Sequence, residues 1–132
     1  LGPVLERTAV LLVSRTEALA LTGRPSPDEA ARALREMGPQ VVVETLGAEG
    51  VLVASDAGLI RVPAFDVPDA QDTTGAGDGF AAGLIAGFLE GLGWVAAARM
   101  GCAVAALKIR HVGARSGLPS REEVQLFLGG NL

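Results

Sequence analysis

The sequence Asp72-Thr73-Thr74-Gly75-Ala76-Gly77-Asp78-Gly79-Phe80-Ala81-Ala82-Gly83 runs from a polar loop into a helix of small residues. Glycines flank an alanine where a polar loop gives way to a long run of small and apolar residues. That run predicts a helix from about Ala76 to Leu92. Small residues at a helix start let another group approach the backbone closely. The first N–H groups of a helix have no intrahelical partner, and the helix dipole adds positive potential there. The segment therefore predicts an anion site built from main chain. Taken alone, Asp78 reads either as a carboxylate that suits the helix dipole or as a general base beside a bound phosphate. Asp72 and Thr74 read either as turn formers or as oxygen ligands for a cation.

The pattern differs from two other glycine-rich phosphate sites. No glycine is followed at the P-loop spacing by Gly-Lys-Ser/Thr, and no Gly-x-Gly-x-x-Gly follows a strand.

Working outward, Ala9 to Val13 is a short apolar run that predicts a buried strand. Thr16 to Gly23 follows as a short helix closed by glycine. Ser26-Pro27-Asp28-Glu29 predicts a capped helix start, with Ala30, Leu34 and Met37 on one stripe, ended by Gly38-Pro39. Val41 to Thr45 predicts a second buried strand. It turns through Leu46 to Gly50 into Val51 to Ala54, and Asp56-Ala57-Gly58 predicts a hairpin to Leu59–Val62. Downstream, a helix is predicted from about Val95 to Ile109. Ser120-Arg121-Glu122-Glu123 is a capping box ahead of a last helix carrying Val124, Phe127 and Leu128. The order is strand, helix, helix, strand, hairpin, then three helices, an α/β layout.

Composition agrees with one modest folded domain. The chain has 132 residues, 49% of them hydrophobic, with 18 glycines and no tyrosine. The net charge is -4, and the basic residues are ten Arg and one Lys scattered along the chain, so the basic face of a nucleic-acid binder is missing. The single cysteine, Cys102, lies in an apolar run and reads as a buried structural thiol. One Cys and one His, His111, cannot build a zinc site. No basic-then-apolar leader precedes Val10, and charges interrupt every apolar run before it reaches spanning length. These features give the expectation of a soluble, cytoplasmic protein without nucleic-acid or membrane partners.

Asp72 to Gly83 resembles the C-terminal signature of the ribokinase (PfkB) carbohydrate-kinase family. Three further stretches match in order. Ser14-Arg15-Thr16-Glu17 is similar to the family's Asn-x-x-Glu motif. Val43-Glu44-Thr45-Leu46-Gly47-Ala48-Glu49-Gly50 resembles its nucleotide-binding turn. Gly113-Ala114-Arg115-Ser116-Gly117-Leu118-Pro119 resembles its closing segment. The likeness runs from about Val10 to Phe127.

The resemblance implies a ribokinase-like three-layer α/β sandwich, a mostly parallel sheet flanked by helices with a β-hairpin. Residues 1–132 would be its C-terminal nucleotide-binding and catalytic portion, with the sugar-binding part and lid in an absent N-terminal half. It implies ATP-dependent phosphorylation of a sugar hydroxyl. Asp78 would be the base, and the N–H groups of Gly75, Ala76, Gly77 and Asp78 the anion hole. Thr45, Gly47, Gly50 and Gly77 would line the ATP. Glu17 would hold Mg²⁺ through water. Asp72 and Thr74, with carbonyls of Lys108, His111 and Gly113, would hold a monovalent cation, K⁺. Ser14 departs from the family's Asn, which puts that residue's contact to the metal's water or a phosphate in question. A nucleoside kinase on the same fold, with an adenosine-like acceptor, is the alternative, followed by a non-catalytic nucleotide-binding fragment. The C-terminal portion alone is expected to be inactive. Absent strands would leave a sheet edge open to a second copy, a homodimer.

Overall fold

The computed structural model describes residues 2–113 and 118–130. The chain divides into two units, Leu1–Val62 and Pro63–Leu132.

In the first unit, a short helix α1 (Gly2–Glu6) precedes strand β1 (Val10–Ser14), helix α2 (Arg15–Thr22), helix α3 (Pro27–Glu36), and strands β2 (Val41–Thr45), β3 (Val51–Ser55) and β4 (Gly58–Val62). The strand order is β1-β2-β3-β4. Strand β1 runs parallel to β2, because two helices intervene and carry the chain back. The pairs β2–β3 and β3–β4 are antiparallel. The sheet is thus mixed, not mostly parallel as expected. The link from β2 to β3 spans only Leu46 to Gly50, far too short for a crossover.

One face of the sheet carries Val13, Val42, Leu52 and Ala54 against Ala18, Ala30, Ala31 and Leu34 of the two helices. Alanines on α2 and α3 let these helices lie close to the strands. Val43, Val51 and Val53, of opposite parity, are buried too. Continuous burial along β2 and β3 accounts for their unbroken apolar runs. Strand β1 is an edge, and its Leu12 is exposed.

Helix α2 starts at a full capping box. Ser14 Oγ accepts from the Glu17 N–H, and Glu17 accepts from the Ser14 N–H. Gly23 closes it in the left-handed region at φ 65°. At α3 only half of the expected box forms: Ser26 accepts from Glu29 N–H at 3.3 Å, with Pro27 at the first position.

The second unit holds helices α4 (Ala76–Leu89), α5 (Trp94–Lys108) and α6 (Arg121–Gly130). Helices α4 and α5 pack through glycine. A Cβ on Gly83 would lie 2.7 Å from Gly101 Cα, and one on Gly87 would lie 2.9 Å from Ala97 Cα. Those contacts explain the small-residue composition of both helices. Met100, Ala103, Val104 and Val124 form a core with Phe65 and Phe127, whose rings meet edge to face at 4.9 Å. Ser120 and Glu123 form the predicted capping box of α6. Cys102 is buried, and burial pushes its thiol up to about 11, an inert structural thiol. No helix among the described residues is long and apolar enough to cross a membrane.

Candidate functional site

The predicted site residues fall in both units. In the first, they gather where β1 and β2 end. Ser14 and Thr45 are register partners at the carboxyl ends of these two parallel strands, the usual side for ligands in α/β sheets. The Thr45 hydroxyl donates to the Val13 carbonyl at 3.4 Å. Glu17 is exposed on the first turn of α2, and its Oε1 accepts the Ser14 N–H at 2.8 Å. That bond holds the Glu17 carboxyl below the usual carboxylate range, so it stays ionised. Ser14 is therefore a helix cap here, a role the Ser-x-x-Glu spacing itself signals.

After Thr45 the chain makes one 3-10 turn, Gly47–Glu49. Leu46 N–H donates to the Gly50 carbonyl at 2.8 Å, and Gly50 N–H donates to Gly47 at 3.1 Å. Gly50 sits at φ 92° and ψ -133°, a conformation open to glycine alone. The turn between Thr45 and Val51 thus needs its glycines for geometry. Arg15, the residue after the cap, forms an ion pair with Glu49 of this turn. The pair draws the Glu49 carboxyl below its ordinary range and ties the start of α2 to the turn. Sequence spacing held no signal for it.

Glu44, on β2, is fully buried. It shares its sheet row with Val13, Leu52 and Arg61, by register. Among the described residues neither carboxyl oxygen has a hydrogen-bond partner, and Arg15 Nε is likewise buried without one. Burial pushes the Glu44 carboxyl up to about 7, partly offset by the nearby Arg15. Arg61 is held instead by Asp28 of α3, at 2.6 Å.

In the second unit, Gly75 takes the left-handed conformation at φ 79° and turns the chain into α4. Gly79 N–H donates to the Gly75 carbonyl at 2.9 Å, the first bond of the helix. Ala76 N–H turns back to the Thr73 carbonyl at 3.1 Å and so is not free for an anion. The N–H groups of Gly77 and Asp78 have no partner among the described residues, and both residues are exposed. A Cβ on Gly77 would meet nothing within 4 Å, so the approach is open. Asp78 projects from the first turn of the same helix.

The loop before α4 is stitched to the end of α5. Gln71 and Asp72 N–H groups both donate to the Ile109 carbonyl, at 2.8 and 3.1 Å. Asp72 Oδ1 accepts the Thr74 N–H at 2.9 Å, and Oδ2 accepts the Gly113 N–H at 3.0 Å. These bonds, Gly113's first, hold the Asp72 carboxyl down at about 2. Lys108, the last residue of α5, is fully buried, and its ammonium donates to the Gly113 carbonyl. The Lys108 carbonyl accepts the His111 N–H at 3.1 Å. Ala114 to Gly117 of the predicted closing segment lie outside the described residues.

The model of the pfkB family carbohydrate kinases matches residues 3–121. The chain belongs to that family. It is 37% identical over 108 residues to the 2-dehydro-3-deoxygluconokinase of Bacillus subtilis (strain 168), covering 82% of this chain and 33% of that protein. Among solved structures it matches the ribokinase of Thermotoga maritima with a TM-score of 0.91 and 32% identity, over 98% of this chain and 45% of that one. The Arabidopsis thaliana ribokinase complexed with ribose and ATP matches with a TM-score of 0.91 and 27% identity, over 97% and 43%. The chain therefore has the ribokinase-like fold, and it spans less than half the length of each of these pfkB-family relatives. The family match includes the loop and helix start from Asp72 to Gly83.

Proposed function

We propose that the protein carrying this chain transfers the terminal phosphoryl group of ATP to a sugar hydroxyl. The observation that carries this reading is the start of α4. Two N–H groups without a partner among the described residues, on Gly77 and Asp78, stand in the same turn as the Asp78 carboxylate. A phosphate on those N–H groups places its charge at the positive end of the helix dipole. Asp78 accepts the proton of the acceptor hydroxyl as its oxygen attacks the phosphorus, and ADP leaves. The N–H pair is aimed at the charge that develops on the transferring group. The Ala76 N–H closes the turn onto Thr73, so of the four N–H groups expected those of Gly75, Gly77 and Asp78 would remain for the hole.

Thr45, Gly47 and Gly50 would supply the nucleotide side, at the carboxyl ends of the parallel strands. The ionised, exposed Glu17 fits Mg²⁺ held through water. Mg²⁺, when bound, would neutralise phosphate charge. Among the described residues no cluster of three metal-ligating side chains exists, which suits an ion carried mainly by phosphates and water. The K⁺ implied by the family resemblance would compete with the buried Lys108 ammonium, which already meets the Gly113 carbonyl.

Since this chain covers 33% of its Bacillus relative, we place the sugar-binding residues and lid in the rest of the protein. The free edge of β1 would take a further strand, or a second copy as a homodimer. We place the protein in the cytoplasm, where ATP is available. The reading is tested by incubating the full-length protein with ATP against a panel of sugars and nucleosides. ADP release dependent on a sugar supports it. Release dependent only on a nucleoside moves the acceptor class, and no release with any acceptor overturns it.

A further inference from the structure

The loop from Asp72 to Gly75 and the turn after α5 have the oxygens a monovalent cation would use, and each already accepts a hydrogen bond. Both Asp72 oxygens accept backbone N–H groups, from Thr74 and Gly113. The Lys108 carbonyl accepts the His111 N–H. The Gly113 carbonyl accepts from the Lys108 ammonium.

Lys108 is unusual in two ways. It is the chain's one lysine beside ten arginines, and it is fully buried. A buried ammonium is tolerated only where fixed negative charge and acceptors surround it. Here they do. Lys108 ends α5, where the helix dipole is negative. Its ammonium meets a carbonyl, and its charge acts on Asp72, helping to hold that carboxyl ionised. Lysine is also the side chain closest to a monovalent ion: a compact point charge with donors in several directions, unlike the planar guanidinium. Its stem passes beneath the start of α4, since a Cβ on Gly79 would lie 3.7 Å from Lys108 Cβ.

We propose that the Lys108 ammonium is the built-in cation of this site and takes the place of a monovalent metal ion. The line of contacts is short. The ammonium fixes the Gly113 carbonyl, the Gly113 N–H fixes Asp72, and Asp72 fixes the Thr74 N–H. Thr74 immediately precedes the left-handed Gly75 that aims the Gly77 and Asp78 N–H groups. Lys108 is a positioning residue: it acts on the phosphate hole through the loop. The function of that hole rests on the kinase reading above, but the cation assignment is testable without turnover.

The experiment uses full-length protein in tetramethylammonium chloride, with K⁺ or NH₄⁺ exchanged in at constant ionic strength up to about 0.1 M. Thermal unfolding and ATP-dependent phosphoryl transfer are read in parallel. The wild type is expected to be flat in both. Lys108→Ala is expected to unfold at lower temperature and to lose about tenfold in turnover, the scale of one charge-assisted hydrogen bond. K⁺ or NH₄⁺, free to enter the vacated space, is expected to restore both saturably. Lys108→Met, which fills the space without charge, should lose as much and recover nothing.

A saturable rise in wild-type unfolding temperature or turnover with K⁺ overturns the proposal. So does a Lys108→Ala variant equal to wild type without added cation, or a loss that no cation restores. If Lys108→Ala does not fold, the wild-type titration decides alone: flat supports the proposal, saturable overturns it. If the wild type transfers no phosphoryl group at all, the kinase reading fails, and the unfolding data still decide the cation.

Discussion

Asp72 and Gly113 are joined across 41 residues by a single bond, the Gly113 N–H donating to Asp72 Oδ2 at 3.0 Å. With Thr74 N–H on the other oxygen, the carboxylate bridges the loop before α4 and the turn after α5. The proposed phosphate hole is therefore held from a distance in sequence, by a residue that need not touch a phosphate.

Asp72→Asn tests that bridge. An amide has one acceptor oxygen, so its NH₂ must face an N–H of Thr74 or of Gly113. Turnover should fall about tenfold or more, with a lower unfolding temperature. The pH dependence has a definite sign. Asp72 is held at about 2 in the folded protein against an ordinary 3.8, so its contribution is full above about pH 4 and is lost as pH falls toward 2. Circular dichroism on acid titration should show a shallower loss below pH 4 in the Asn variant. An unchanged acid limb and unchanged turnover would contradict the bridge.

Glu44 predicts the opposite slope. Its folded value of about 7 lies above the ordinary 4.5. Folding therefore favours the protonated form, and stability falls as pH rises from about 4.5 to 7, then levels. Glu44→Gln should flatten that slope and add about 1 kcal/mol above pH 7, since Arg15 and solvent screening offset part of the burial cost. Denaturant unfolding at pH 5 and pH 8 measures it. An equal change at both pH values would show that Glu44 does not titrate between them.

Much of this was legible in the sequence. The apolar runs of β1 to β3 and the stop at Gly23 are local signals, and each formed as predicted. The Asp72–Asp78 segment read correctly as a loop opening a helix. Other features escaped. The sheet is mixed, because the length of a connection, not strand composition, decides direction between β2 and β3. The Ala76 N–H folds back to Thr73, a detail of turn geometry that no residue type announces. The side chain of Lys108, read only for its carbonyl, turned out to carry the charge. Its isolation as the sole lysine at the end of an apolar helix was the available signal. Glu44 and the Arg15–Glu49 pair depend on register and on contacts distant in sequence, which periodicity does not encode.

Glu17→Gln separates capping from metal binding. Glutamine still offers an oxygen to the Ser14 N–H, so the helix start is preserved and the unfolding temperature should change little. The charge proposed to steer Mg²⁺ is gone, so the Mg²⁺ concentration for half-maximal turnover should rise about tenfold. A large loss of stability with an unchanged Mg²⁺ requirement would make Glu17 a cap only.

The central claim is that Asp78 is the base beside the phosphate hole. Turnover of Asp78→Asn in the full-length protein, with ATP and its sugar acceptor, tests it most directly. kcat is expected to fall about a hundredfold or more, with ATP affinity and unfolding temperature near wild type. A fall of less than about tenfold, about 1.4 kcal/mol of barrier, would contradict it.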